Sequence, residues 1–153
     1  MKHLKIGDQA PVFEGIDQAN KHITLKDFSG KKVALYFYPK DSTPGCTAQA
    51  CSLRDDYSVL QSRGIEVIGV SADSVASHQK FAEKQSLPFP LLADTERKVI
   101  EQYGVWGPKK FMGRNYDGIH RMTFLIDENG KIEQIWEKVN TKEHAKEILD
   151  FLK

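Results

Sequence analysis

Val33-Ala34-Leu35-Tyr36-Phe37-Tyr38, followed across Pro39-Lys40-Asp41-Ser42 by Thr43-Pro44-Gly45-Cys46-Thr47-Ala48-Gln49-Ala50-Cys51, is the stretch whose reading decides the fold. The apolar run has strand length and reads as a buried strand. Thr43 suits a helix N-cap, and Pro44 suits the first helical position, where its missing N–H costs nothing. Cys46 is then the third helical residue. With Ala50, Leu53, Tyr57 and Leu60 it recurs at helical spacing, which gives one stripe turned toward the body of the protein. Free N–H groups and the positive end of the helix dipole converge on that first turn, and a thiol there is biased toward thiolate.

Outward from this unit, strands and helices alternate. A short N-terminal strand region is expected around Pro11-Val12-Phe13-Glu14 and His22-Ile23-Thr24-Leu25, with a turn at Asp27-Phe28-Ser29-Gly30. The helix from Pro44 runs to about Ser62 and ends at Arg63-Gly64. Ile65 to Ser71 is the next strand, and Asp73 caps a helix reaching Gln85, which Pro88 stops. Pro90-Leu91-Leu92 reads as a short strand and Glu96–Tyr103 as a short helix. Met122–Ile126 and Lys131–Trp136 flank Asp127-Glu128-Asn129-Gly130 and form a hairpin. A last helix opens at Asn140, with Glu143 completing a capping-box variant, and buries Ala145, Ile148, Leu149 and Leu152. This order predicts an α/β fold of thioredoxin-like type, with a mixed central sheet, helices on both faces and an N-terminal extension.

A chain of 153 residues fits a single domain, 1–153, that buries roughly 68–70% of the extended chain's surface without disulfide staples. Its 22 basic and 21 acidic side chains leave a formal charge of +1, which gives no footprint for nucleic acid or for a membrane as main partner. The N-terminus has no apolar core of signal-peptide length, and no apolar run approaches the ~20 residues of a membrane helix. A cytoplasmic location is the expectation. In a reducing compartment, two cysteines close in sequence point to redox or metal chemistry. Metal is disfavoured because His3, His22, His78, His120 and His144 are scattered, and zinc wants four ligands in close pairs. No cofactor is expected.

The chain's two cysteines cannot be a static bridge. On an intact helix Cys51 lies about 140° around from Cys46 and ~7.5 Å further along, which puts their Cα atoms ~8.6 Å apart. A disulfide rarely tolerates more than about 7 Å. A transient bridge, formed during turnover as a turn of helix unwinds, fits the spacing better. The Cys-x-x-Cys of simple dithiol reductases is absent.

Pro39-Lys40-Asp41-Ser42-Thr43-Pro44-Gly45-Cys46 resembles the Pro-x-x-x-Thr/Ser-x-x-Cys motif of peroxiredoxins. Thr47 to Asp55, Tyr103-Gly104-Val105-Trp106-Gly107, Asp117-Gly118-Ile119-His120-Arg121 and Phe124-Leu125-Ile126-Asp127 resemble the bacterioferritin comigratory protein, or peroxiredoxin Q, branch. The resemblance implies a thiol peroxidase acting on hydrogen peroxide and alkyl hydroperoxides. It implies that Cys46 attacks the peroxide and Cys51 resolves the sulfenic acid as a Cys46–Cys51 disulfide. Thr43 would hydrogen-bond thiolate and peroxide, Pro39 would shield the pocket, and Arg121 would complete the site. Thioredoxin is the implied reductant and a monomer the implied state.

Other residues read more plainly. Arg54 and Asp55 belong to an exposed helix face, Lys109-Lys110 to solvated surface, and His78 and His120 are ordinary, partly exposed side chains. Gly104 to Ile119, with Trp106, reads as a long structureless connection that serves as a collar for the peroxide or a docking surface for the reductant. A thiol–disulfide oxidoreductase and a redox sensor are the competing functions.

Overall fold

The strand that opens the deciding stretch lies in the middle of the sheet. In the computed structural model, which describes residues 3–152, β3 (Lys32–Phe37) pairs in parallel with β4 (Ile65–Ser71) and antiparallel with β8 (Met122–Ile126). β5 (Leu91–Ala93) and β9 (Ile132–Trp136) add the outer strands, giving the order β5-β4-β3-β8-β9. Met1, Lys2 and Lys153 lie outside the described residues.

Period-two alternation in β3 divides the core into two layers. Val33, Leu35 and Phe37 pack on one face with Ala10, Phe13 and the Val99, Ile100 and Tyr103 side chains of and beside α4 (Lys98–Gln102). Ala34, Tyr36 and Tyr38 pack on the other. That face receives α1 (Pro44–Asp55) through Ala50 and Leu53, and α2 (Tyr57–Ser62) through Leu60. It also receives α3 (Val75–Gln85) through Phe81 and α5 (His144–Phe151) through Ala145 and Ile148. Each buried Leu, Ile or Phe of these layers contributes about 1.5–3 kcal/mol. Helices therefore cover both faces, the heavier layer on the side that carries Cys46.

Several expectations shift. The N-terminal pairing falls on β1 (Glu14–Ile16) and β2 (His22–Thr24) rather than from Pro11 onward. The long helix breaks at Asp56 into α1 and α2. Asp55 and Asp56 oppose the dipole at the end of a helix and favour it at the start of the next, which suits a break at Asp56. Ser74, not Asp73, caps α3 by accepting the Ser77 N–H at 3.1 Å. The last helix starts at His144, because the Asn140 side chain accepts the Lys142 N–H in a local turn instead of capping a helix at its own position.

Gly104 to Ile119 is not structureless. β6 (Trp106–Phe111) and β7 (Arg114–Ile119) form an antiparallel hairpin. Its strands are mostly exposed and lack apolar alternation, and its two-residue turn is Met112-Gly113 instead of Asn-Gly, so the usual hairpin signals are missing. Met112 (φ 51) and Gly113 (φ 79) both take left-handed conformations, as a type I′ turn requires. Methionine pays for that φ and asparagine tolerates it. Met112→Asn is expected to raise stability by about 0.5–1 kcal/mol, read as a higher urea midpoint at unchanged slope.

Candidate active site

The site begins where β3 ends. Tyr38 is followed by a loop pinned at Asp41, whose N–H donates to Asp73 Oδ2 at 2.8 Å. Its carboxylate accepts Tyr38 Oη at 2.6 Å and Ser77 Oγ at 2.8 Å, and pairs with His78 Nδ1 at 2.7 Å. His78 is fully buried, contrary to the partly exposed reading, and its Nε2 lies 3.1 Å from the Leu92 carbonyl. Both ring nitrogens face oxygen atoms, one of the Asp41 carboxylate and one of the Leu92 carbonyl, so the ring is fixed between the loop after β3 and β5. Asp41, Asp73 and His78 are the one cluster of metal-ligating side chains among the described residues, and all three are engaged in hydrogen bonds to protein groups. Ser42 next to this anchor turns the chain with φ 63 and delivers Thr43 to the head of α1.

Thr43 stands at the N-cap in extended conformation, and its carbonyl accepts the Thr47 N–H at 2.8 Å. Its side chain makes no cap bond. Instead Oγ1 donates to the Lys40 carbonyl at 2.8 Å, back across the tight turn at Asp41-Ser42. Pro39 is half-buried at the start of this loop.

Cys46 is buried in the first turn of α1. Arg121 reaches it from the connection between β7 and β8: Met122 lies opposite Phe37, so the residue before it emerges beside the loop that follows β3. Arg121 Nη2 is 3.3 Å from Cys46 Sγ, and Nη1 donates to Gln49 Oε1 at 2.6 Å. Gly45 leaves room for the guanidinium, since a Cβ there would sit 3.2 Å from Nη2. A cation and a helix N-terminus thus converge on one sulfur, an arrangement that stabilises negative charge on it and on a group reacting with it.

Sequence reading missed two parts of this arrangement. Gln49 is fully buried, and its Nε2 has no partner among the described residues. The available signal was a polar residue three positions after Cys46, on the buried face of the helix. Lys109 is the other. The β6–β7 hairpin half-buries it and ties Nζ to the Ile119 carbonyl at 2.8 Å. Burial and then the Arg121 charge hold its ammonium below the usual lysine range, against an opposing pull from Cys46. Lys109 is therefore part of the electrostatic surroundings of the thiol, not plain surface.

Cys51 lies on another side of α1. It is half-buried, with Sγ 3.5 Å from Gln85 Oε1, and both cysteines are free thiols. The structure brings Cys46, Arg121 and Gln49 into contact, sets Thr43 and Pro39 in the adjoining loop, and leaves Cys51 apart.

Residues 6–135 match the AhpC/TSA family model. Peroxiredoxin Bcp of Escherichia coli is 50% identical over 153 residues, covering 100% of this chain and 98% of its own. The chain belongs to the AhpC/TSA family, as a peroxiredoxin. Among solved structures, a cysteine-to-serine mutant of Xylella fastidiosa PrxQ superposes with a TM-score of 0.89 at 32% identity, over 99% of this chain and 97% of that one. The bacterioferritin comigratory protein of Xanthomonas campestris, studied for alkyl peroxide reduction, gives 0.85 at 34% identity, over 92% and 89%. The peroxiredoxin therefore has the thioredoxin-like fold expected from its strand and helix order.

Proposed function

We propose that this peroxiredoxin reduces hydrogen peroxide and alkyl hydroperoxides in two half-reactions, with Cys46 as the attacking thiol. The Cys46–Arg121 contact of 3.3 Å at a helix N-terminus carries this reading. The Cys46 thiolate attacks one peroxide oxygen, the O–O bond breaks, and the other oxygen leaves as water or alcohol after taking a proton. The sulfur is left as sulfenic acid. Arg121 stabilises charge on sulfur and on the departing oxygen. With its own proton committed to Lys40, Thr43 Oγ1 offers lone pairs to the incoming peroxide hydroxyl. Pro39 walls the loop side.

In the second half-reaction Cys51 displaces the sulfenic hydroxyl, giving the Cys46–Cys51 disulfide and water, and a thioredoxin-type dithiol returns both thiols. Alkyl peroxide reduction by the Xanthomonas relative supports the substrate class. Residues 1–153 act as one domain and as a monomer in the cytoplasm; among the described residues no helix is long and apolar enough to cross a membrane.

The test is steady-state consumption of hydrogen peroxide and, in parallel, of a bulky hydroperoxide, with reduced thioredoxin as electron donor. One thioredoxin disulfide per peroxide is expected. No consumption of either peroxide overturns the reading, and a single stoichiometric oxidation without turnover favours a redox sensor instead.

A further inference from the structure

The Cys51 end of α1 is fastened on two sides. On the α3 side, Cys51 Sγ meets Gln85 Oε1 at 3.5 Å and Arg54 Nη1 donates to the Gln85 carbonyl at 2.8 Å. Gln85 is the last residue of α3, so Arg54 satisfies a carbonyl that a helix end leaves unpaired and places a cation where the dipole favours one. Asp55, with contacts of 2.8 and 3.0 Å, holds the Arg54 guanidinium in line. On the α5 side, Ser52 Oγ accepts the Ala145 N–H at 3.1 Å. Ala145 is the second residue of α5, and Glu143 at the N-cap makes no side-chain cap bond, so a hydroxyl from α1 supplies the cap that α5 lacks. Arg54 is thus not the plain exposed-face residue its sequence position indicated.

These contacts lie where the second half-reaction needs freedom. An intact α1 holds the two cysteine Cα atoms ~8.6 Å apart, and the S–S bond forms only once the turns between them open. Opening that segment carries Ser52 away from Ala145 and Arg54 away from Gln85.

We propose that Arg54 and Ser52 are positioning residues that time disulfide formation, clasping the Cys51 turn to the end of α3 and the start of α5. The inference rests on Cys51 being the resolving thiol. While the clasp is closed, Cys46 keeps the helix N-terminus it needs to attack peroxide. Release of the clasp lets Cys51 displace hydroxide from the Cys46 sulfenic acid: the S–O bond breaks, the S–S bond forms, and the hydroxide leaves as water with the Cys51 proton. A second peroxide that arrives first oxidises the sulfenic acid to sulfinic acid instead, with loss of water. The strength of the clasp therefore sets how much Cys46 is lost to over-oxidation.

The test mixes reduced protein with one equivalent of hydrogen peroxide, quenches with an alkylating reagent at set times, and counts sulfenic acid and disulfide by intact mass. Ser52→Ala and Arg54→Gln are each expected to raise the ratio of disulfide-formation rate to sulfenic-acid-formation rate by about threefold or more. Ser52→Thr, which keeps the hydroxyl, is expected to restore the wild-type ratio. Under excess peroxide the sulfinic fraction should fall in the same order. A merely destabilised fold would not spare Cys46 from over-oxidation in Ser52→Ala and lose that sparing in Ser52→Thr. Ratios equal to or below wild type in both alanine and glutamine variants overturn the clasp. If no disulfide forms in the wild-type protein, the resolving role of Cys51 fails instead, which is a separate result.

Discussion

Arg121→Gln is expected to slow oxidation of Cys46 by hydrogen peroxide by about 10²–10³-fold, measured as the second-order rate constant in stopped flow with Cys46→Ser as the zero of the assay. Glutamine keeps a hydrogen-bond donor of moderate length but removes the charge. Nη2 faces Sγ at 3.3 Å while Nη1 is braced by Gln49 at 2.6 Å. One planar group thus spans Cys46 Sγ and a buried anchor, and its rigidity is part of the expected effect. Charge develops on the departing oxygen only as the O–O bond breaks, so a fixed cation there acts on the barrier more than on binding. Arg121→Lys should fall in between, since an ammonium keeps the charge but loses the two-pronged geometry. An Arg121→Gln rate within about threefold of wild type would leave activation to the helix N-terminus and Lys109 and would remove Arg121 from the first half-reaction.

How far the site could be read beforehand follows from which interactions are local. The strand, turn and helix from Val33 to Cys51 are written in short-range signals: an apolar run, a Thr-Pro helix start and a 3-and-4 stripe. All of these are present in the structure, the stripe through buried Cys46, Ala50, Leu53 and Leu60. The cysteine spacing carried its own geometric consequence for the same reason. Arg121 came from resemblance alone, because its contact with Cys46 spans 75 positions and depends on the antiparallel register of β8 against β3. His78 was misread for a similar reason: its partner Asp41 is 37 positions away, and only the folded sheet places the two together. The β6–β7 hairpin escaped notice because its turn breaks the usual residue preference and its strands face solvent. With it went the placement of Lys109.

Cys51→Ser is expected to consume one equivalent of peroxide, to accumulate Cys46 sulfenic acid that a dimedone-type reagent traps, and to lose thioredoxin-linked turnover to the background rate. The first half-reaction uses groups clustered at the head of α1, none of which is Cys51. Only the second needs a thiol within bonding reach of the oxidised sulfur. In the reduced protein both cysteines sit in one uninterrupted helix, Pro44–Asp55, on different sides of it. Amide exchange therefore supplies an independent reading: residues 46–55 should be protected when reduced, lose that protection in oxidised wild type, and keep it in peroxide-treated Cys51→Ser. Full turnover by Cys51→Ser, or equal protection in both redox states of the wild type, would remove the intramolecular route. The chemistry demands opposite things of the same backbone. Attack requires the helix N-terminus to be formed around Cys46, and resolution requires the turns just beyond it to come apart. An enzyme that does both with one helix must hold it with contacts weak enough to release in each cycle, and the partly exposed bonds of Ser52 and Arg54 to the ends of two neighbouring helices have that character.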